Sequence, residues 1–183
     1  MRKLNVFSQK NKSKQRGVTL IEFGIVMLLL AIVLGLAAVG LTARKHRISV
    51  NDNTSAIIDT AEAIKAKYGS VNRYGTISTA NAVTSGLIPN EYQDGAGATT
   101  ATNKFGGAIT VLPGANGTAV LTWPAVPREE CSNIVTGVES RFRQVQVGGV
   151  DVKALDQAIV DNTLEAQCTA ATASTLTLFV GRT

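Results

Sequence analysis

The chain has 183 residues, 45% of them hydrophobic and 17% charged, with one histidine and two cysteines. The lone histidine, His46, lies beside the apolar run at the expected membrane edge, which argues against a metal site and against a histidine beside a serine or cysteine nucleophile. The formal net charge is +5, but Arg2, Lys3, Lys10, Lys12, Lys14 and Arg16 supply six positive charges before any acid, so the remainder stands at −1 and its charge gives no argument for nucleic-acid binding.

Phe23 to Ala43 is an uncharged run of 21 residues. As a helix it is long enough to cross the ~30 Å hydrocarbon core of a bilayer. The basic residues before it hold the N-terminus in the cytoplasm. Glu22 stands at the lip of the run. A carboxylate there is costly and is retained for a partner. A cleaved secretory signal fits badly, because the apolar region is too long and small-residue cleavage would fall near Ala37-Ala38. A plain signal anchor accounts for the basic flank and the run, but not for Gly17 together with Glu22.

Arg16-Gly17-Val18-Thr19-Leu20-Ile21-Glu22 and the run that follows resemble the type IV prepilin signature: a basic leader ending in Gly, a cut, then an apolar helix with Glu at its fifth position. The resemblance implies a leader of residues 1–17, a transmembrane and assembly helix over 18–43, and a periplasmic or extracellular head over 44–183 that includes the second half of the long helix. It implies cleavage between Gly17 and Val18 by prepilin peptidase, methylation of the new Val18 amine, and a role for Glu22 in subunit assembly. Val18 in place of Phe, and a 17-residue leader, point to the type IVb branch.

The helix is expected to continue beyond the run. Ile57, Ala61, Ile64 and Tyr68 are spaced as one helical face, with Asp59, Glu62, Lys65 and Lys67 off it and Gly69 as a stop. Asn51-Asp52-Asn53 is a weak point, since these residues prefer caps and turns, whereas pilin-like architecture argues for continuity or a gentle kink. After Tyr68 about 115 residues remain, enough for one modest core. With five Phe, three Tyr and one Trp, that core is expected to rely on Ile, Val, Leu and Ala.

Gly69 to Lys104 is rich in small and polar residues, with a short helix at Thr79 to Ser85. Ile109 to Leu112 and Ala119 to Trp123 read as a hairpin around Asn116-Gly117, ended by Pro124 and Pro127. Cys131, Ile134, Val135, Val138 and Phe142 give helical spacing over Arg128 to Phe142. Val150 to Cys168 reads as a short extended piece and a helix from Lys153 to Leu164, and Thr175 to Val180 as a last strand. The membrane topology places Cys131 and Cys168 outside the cytoplasm, and two cysteines permit one pairing, so a disulfide is expected.

The head motifs Leu87-Ile88-Pro89-Asn90-Glu91-Tyr92 and Asn103-Lys104-Phe105-Gly106-Gly107, then a hairpin and two distant cysteines, are similar to those of type IVb pilins. In that family a long helix packs on an antiparallel sheet, and the region between the cysteines carries subunit contacts. The fold class is therefore α+β: a long N-terminal helix, half transmembrane and half amphipathic, on an antiparallel β-sheet head with a disulfide-closed C-terminal region. No catalytic constellation, cofactor site or metal site is read from the residues. The implied partners are other copies in a helical filament, prepilin peptidase, an assembly platform with its ATPase, and the inner membrane before assembly on the surface of a Gram-negative cell. No specific nucleic acid is implied. A type II secretion pseudopilin, a minor pilin, and a membrane-anchored binding protein that does not assemble remain as alternatives.

Overall fold

The computed structural model describes residues 20–181, without the side chains of Leu20, Glu22 and residues 34–47. Two units meet between Ala43 and Arg44. Helix α1 is Leu20–Ile64. A wider π-helical turn, Lys65–Gly69, ends it where Gly69 is expected to act as a stop.

In the first unit, the large apolar side chains from Ile21 to Val33 are exposed in the isolated chain. Among the described residues no helix is long and apolar enough to cross a membrane. The expected span runs on to Ala43, and its side chains beyond Val33 lie outside the described set, as does that of His46.

In the second unit α1 and the π-helical turn after it bury the face the spacing predicts: Ile57, Ala61, Ile64 and, in the turn, Tyr68, joined by Asn53, Ala56 and Thr60. Asp59, Glu62 and Lys67 are exposed and Lys65 is half-buried. The helix passes unbroken through Asn51-Asp52-Asn53. The reason is partly local and partly tertiary. Asn53 Nδ2 donates to Ser49 O one turn back at 2.8 Å, and Asn53 Oδ1 accepts from Trp123 Nε1 at 3.1 Å. With its amide engaged on both sides, Asn53 no longer competes for the backbone of its own turn.

Six strands form one antiparallel sheet: β1 (Ala101–Thr102), β2 (Ala108–Pro113), β3 (Ala119–Pro127), β4 (Gln144–Val147), β5 (Val150–Lys153) and β6 (Ala173–Val180). Their spatial order is β1-β2-β3-β6-β4-β5, so the last strand in sequence is central. Three further helices complete the head: α2 (Thr79–Thr84), α3 (Arg128–Val138) and α4 (Asp161–Thr169). The core is built mainly from Ile, Val, Leu and Ala, as composition predicts, with five aromatic side chains among them. Tyr68, Tyr74, Tyr92, Trp123 and Phe142 are all buried in it.

Three boundaries differ from the expected ones. Pro124 does not end the hairpin; β3 runs on to Pro127, because Pro124 precedes Ala125 (φ 59°) at a register shift between Trp123 and Val126. There the ladder is already interrupted, so the missing N–H costs nothing. Helix α3 stops at Val138 and a short 3₁₀ turn, Glu139–Arg141, carries the chain to buried Phe142. The helix expected from Lys153 begins only at Asp161, since Val150 to Lys153 is paired with β4. Gly148 and Gly149, at φ 61° and 85°, make the tight hairpin turn that joins β4 to β5.

The 87–107 segment binds α1 at the same level as Asn53. Tyr92 Oη donates to Asp52 O at 3.2 Å, its ring lies 5.4 Å from that of Trp123, and Lys104 Nζ sits 2.6 Å from Asp52 Oδ2. Asn103 ties the segment to the sheet, accepting from Phe105 N and Gly107 N and donating to Pro124 O at 2.6 Å. Gly107 is required there: a Cβ would lie 2.6 Å from Pro124 O. Burial, then the charges of Glu91 and Asp52, push the Tyr92 hydroxyl up to about 12.

Replacing Asn53 by Leu leaves the Trp123 N–H buried without its acceptor. The expected loss is about 1–3 kcal/mol, read from urea unfolding followed by fluorescence of the single tryptophan. An unchanged midpoint would show that this bond contributes nothing net.

The raised Tyr92 group is neutral in the fold over a range where the unfolded chain has ionised it. Its contribution is complete below the unfolded value near 10 and is lost as pH rises towards 12. Tyr92→Phe should therefore weaken the pH dependence of stability between pH 10 and 12. Parallel stability curves for the two proteins over that range would contradict the assignment.

Candidate functional site: the N-terminal motif and the disulfide-closed region

The expected site residues fall into two groups. Gly17 and Val18 lie outside the described residues, and Glu22 is described only as backbone within α1. Cys131 and Cys168 are joined in a disulfide, with Cα atoms 5.6 Å apart.

The disulfide links the first turns of α3 to the end of α4, and both cysteines are buried. Helix α3 starts after extended Pro127 and carries Glu129 and Glu130 in its first turn, where the helix dipole favours acids. Their fates differ. Glu129 is exposed, whereas Glu130 is buried, and its Oε2 accepts from the Ser49 hydroxyl of α1 at 3.1 Å.

Arg128 was not legible as a functional or structural centre from the sequence. Its Nη2 donates to Thr169 O at 2.7 Å and its Nε to Ala171 O at 3.4 Å, and its backbone N donates to Thr172 O at 3.1 Å. These carbonyls belong to the end of α4 and the link into β6. A cation at a helix C-terminus is favoured both by hydrogen bonding and by the dipole. Arg128 and the disulfide together fix how the chain enters its central strand.

Between the two cysteines lie α3, the β4–β5 hairpin and α4. Arg143 clamps Asp156 in a two-point ion pair, Nε to Oδ1 at 3.0 Å and Nη2 to Oδ2 at 2.5 Å. The Arg143 hydrogen bonds hold the Asp156 carboxyl below the usual range. Lys153 Nζ donates to Glu139 O at 2.8 Å, and Glu139 Oε1 accepts from Ile159 N at 3.0 Å. The segment between β5 and α4 is thus pinned at both ends. Its outer surface shows Val150, Leu155 and Val160 beside exposed Asp151, Asp161 and Glu165. Among the described residues no cluster of His, Cys, Asp and Glu could hold a metal ion. The region is a braced surface of mixed apolar and acidic character.

Two sequence families match the chain. Residues 47–180 match the family described as PilS N terminal, and residues 12–38 match the prokaryotic N-terminal methylation motif. The first match spans well over half of the chain, which therefore belongs to the PilS family of type IV pilins. The fold is similar to that of the type IVb pilin from Salmonella typhi in its crystal structure, with 21% identity over 68% of this chain and 95% of that chain and a TM-score of 0.51. A crystal structure of TcpA, a type IV pilin from the El Tor biotype of Vibrio cholerae, aligns over 70% of this chain and 98% of that one, at 16% identity and a TM-score of 0.47. No curated protein sequence matches. Pilin families are structural proteins, and the methylation motif implies a membrane-anchored precursor and a surface pilus.

Either Cys131→Ser or Cys168→Ser should lower stability by roughly 2–5 kcal/mol. The change is read from denaturant midpoints of oxidised wild type against each variant. Equal midpoints, or free thiols in unreduced wild-type protein, would remove the disulfide from the account.

Proposed function

We propose that this chain is a structural subunit of a type IV pilus. In this reading residues 1–17 are the leader, 18–43 the membrane and assembly helix, and 44–183 the head. The observation that supports it most directly is the order of the two family matches in one chain: a methylation motif over 12–38, then a pilin head over 47–180. The likeness of the head to the type IVb pilin of Salmonella typhi supports the fold on which the reading rests.

The basic leader holds the precursor in the inner membrane of a Gram-negative cell. Prepilin peptidase cuts between Gly17 and Val18, and the new Val18 amine is methylated. An assembly platform and its cytoplasmic ATPase then drive polymerisation. Glu22 stands at the edge of an apolar segment, where a carboxylate needs a cation. The Val18 amine of a neighbouring subunit supplies one and sets the axial register of the filament. The finished pilus serves adhesion, aggregation or conjugation.

The test separates processing from assembly. Glu22→Val should leave cleavage largely intact but abolish or strongly reduce filaments, with mature subunit retained in the inner membrane. Gly17→Val should block cleavage itself while leaving insertion unaffected. Mass spectrometry of the mature N-terminus and electron microscopy of pili read the two steps. Normal pili built from Glu22→Val subunits would overturn the assembly role, and a mature chain starting elsewhere than Val18 would overturn the cut.

A further inference from the structure

The turn between β2 and β3 carries Asn116-Gly117, the one Asn-Gly pair in the chain. An asparagine amide before glycine is open to attack by the next backbone nitrogen, because glycine has no Cβ to obstruct the approach. In the fold Asn116 is exposed and stands in the left-handed region at φ 55° and ψ 33°, followed by Gly117 at φ 66°. At that ψ the Gly117 nitrogen lies nearly opposite Asn116 Cβ across the Cα–C bond. The side-chain amide carbon and that nitrogen can meet only after ψ turns by well over a right angle.

The turn is held from several sides. Thr118 N donates to Ala115 O at 3.2 Å, Thr118 Oγ1 donates to the same carbonyl at 2.7 Å, and Gly114 N donates to Thr118 O at 2.8 Å. Thr118 is buried, so its hydroxyl is anchored by the head and not by the loop. The Asn72 side chain packs against the glycine: a Cβ on Gly117 would lie 2.8 Å from Asn72 Oδ1. The related pair Asp94-Gly95 is controlled differently. Hydrogen bonds from Thr100 and Thr102 hold the Asp94 carboxyl below the usual range. An ionised carboxylate is a poor electrophile, so the amide of Asn116 is the reactive one of the two.

We propose that Asn116 is a site of spontaneous deamidation, and that the native turn restrains the reaction until the turn opens. The Gly117 nitrogen attacks Asn116 Cγ. The new N–Cγ bond closes a succinimide ring, the Cγ–Nδ2 bond breaks, and Nδ2 leaves as ammonia with the Gly117 amide proton. Water, the only co-reactant, then adds to one of the two ring carbonyls. Breaking the N–Cγ bond gives aspartate with the backbone unchanged. Breaking the bond from that nitrogen to the Asn116 carbonyl carbon gives isoaspartate, whose chain runs through Cγ. Either product puts a new carboxylate on the exposed end of the β2–β3 hairpin. Isoaspartate, with one more carbon in the chain, no longer fits the closure from Thr118 to Ala115. The head thus carries a slow chemical mark of how often this turn opens.

The experiment uses the full chain in detergent at mildly alkaline pH, with peptide mapping by mass spectrometry and detection of isoaspartate. Asn116 should convert in urea. In the folded protein the same conversion should be slower by about tenfold or more, as for a reaction that needs local opening. Thr118→Val removes the hydroxyl bond and should speed the folded reaction by about two- to tenfold. An Asn116 that stays intact in urea would overturn the site, as would isoaspartate forming at folded Asp94 as fast as at Asn116. A folded protein that reacts as fast as the unfolded one would overturn the restraint, and so would Thr118→Val reacting at the wild-type rate. If Trp123 fluorescence shows that Thr118→Val does not fold, Asn72→Ala withdraws the packing from Gly117 instead. It should also speed the folded reaction, and an unchanged rate would equally overturn the restraint.

Discussion

The buried hydrogen bond from the Trp123 indole to the Asn53 amide decides where α1 meets the sheet. An apolar helix face alone would tolerate sliding by a turn, since Ala56, Ile57, Ala61 and Ile64 offer similar surfaces at each step. A buried donor and acceptor do not. Any shift would leave the indole N–H and the amide without partners, at about 1–3 kcal/mol for each orphaned group. The same level of α1 receives Tyr92 and Lys104 at Asp52, and Tyr92 packs on Trp123. Asn103 then closes the circuit by binding Pro124 O, next to Trp123 in β3. Helix, segment and strand are therefore referred to a single point.

A second constraint follows from topology. The central strand β6 is the last to be made, and it pairs with both β3 and β4. The sheet cannot be completed until the C-terminal end of the chain returns to its middle. Bringing distant segments together is slow and carries a loop-closure cost. The disulfide fixes Cys168 only a few residues before Ala173, where β6 begins, and Arg128 grips the carbonyls of the link. The bridge is thus placed where it reduces the freedom of the strand on which the sheet depends. Buried side chains at both cysteines mean that the folded head protects the bond that helped to form it.

Much of this was legible in the residues, and the gaps have physical causes. The α1 face was visible because 3.6-residue spacing survives over many turns at Ile57, Ala61, Ile64 and Tyr68. The cysteine pair was visible because two cysteines allow one answer. The β4–β5 hairpin was missed although Gln144 to Val147 and Val150 to Lys153 alternate on either side of Gly148-Gly149, a strong hairpin pattern. Only a short extended piece from Val150 was read, followed by a helix from Lys153 to Leu164, and its partner strand was not read at all. Asn53 was read as a weakness because its preference for turns is local, whereas the indole that satisfies it comes from 70 residues away. Arg128 gave no signal at all, since its partners are backbone carbonyls and carry no side-chain identity.

The N-terminal unit obeys a different logic. Ten large apolar side chains between Ile21 and Val33 are at least half exposed in the isolated chain. At roughly 1.5–3 kcal/mol for each full burial, and about half of that for partial gains, their exposure to water amounts to on the order of 10 kcal/mol. That is comparable to the whole stability of an ordinary domain. In the proposed reading a bilayer or a bundle of like helices covers this surface. Both environments are apolar and neither has directional preference. Packing of such helices alone would leave their axial offset poorly defined. A charge at a fixed point of the run would define it, and in the proposed reading that charge is Glu22, which stands immediately before the run. The head solves its register problem with a buried hydrogen bond at Asn53, and in the proposed reading the apolar helix meets the same problem with the Glu22 carboxylate.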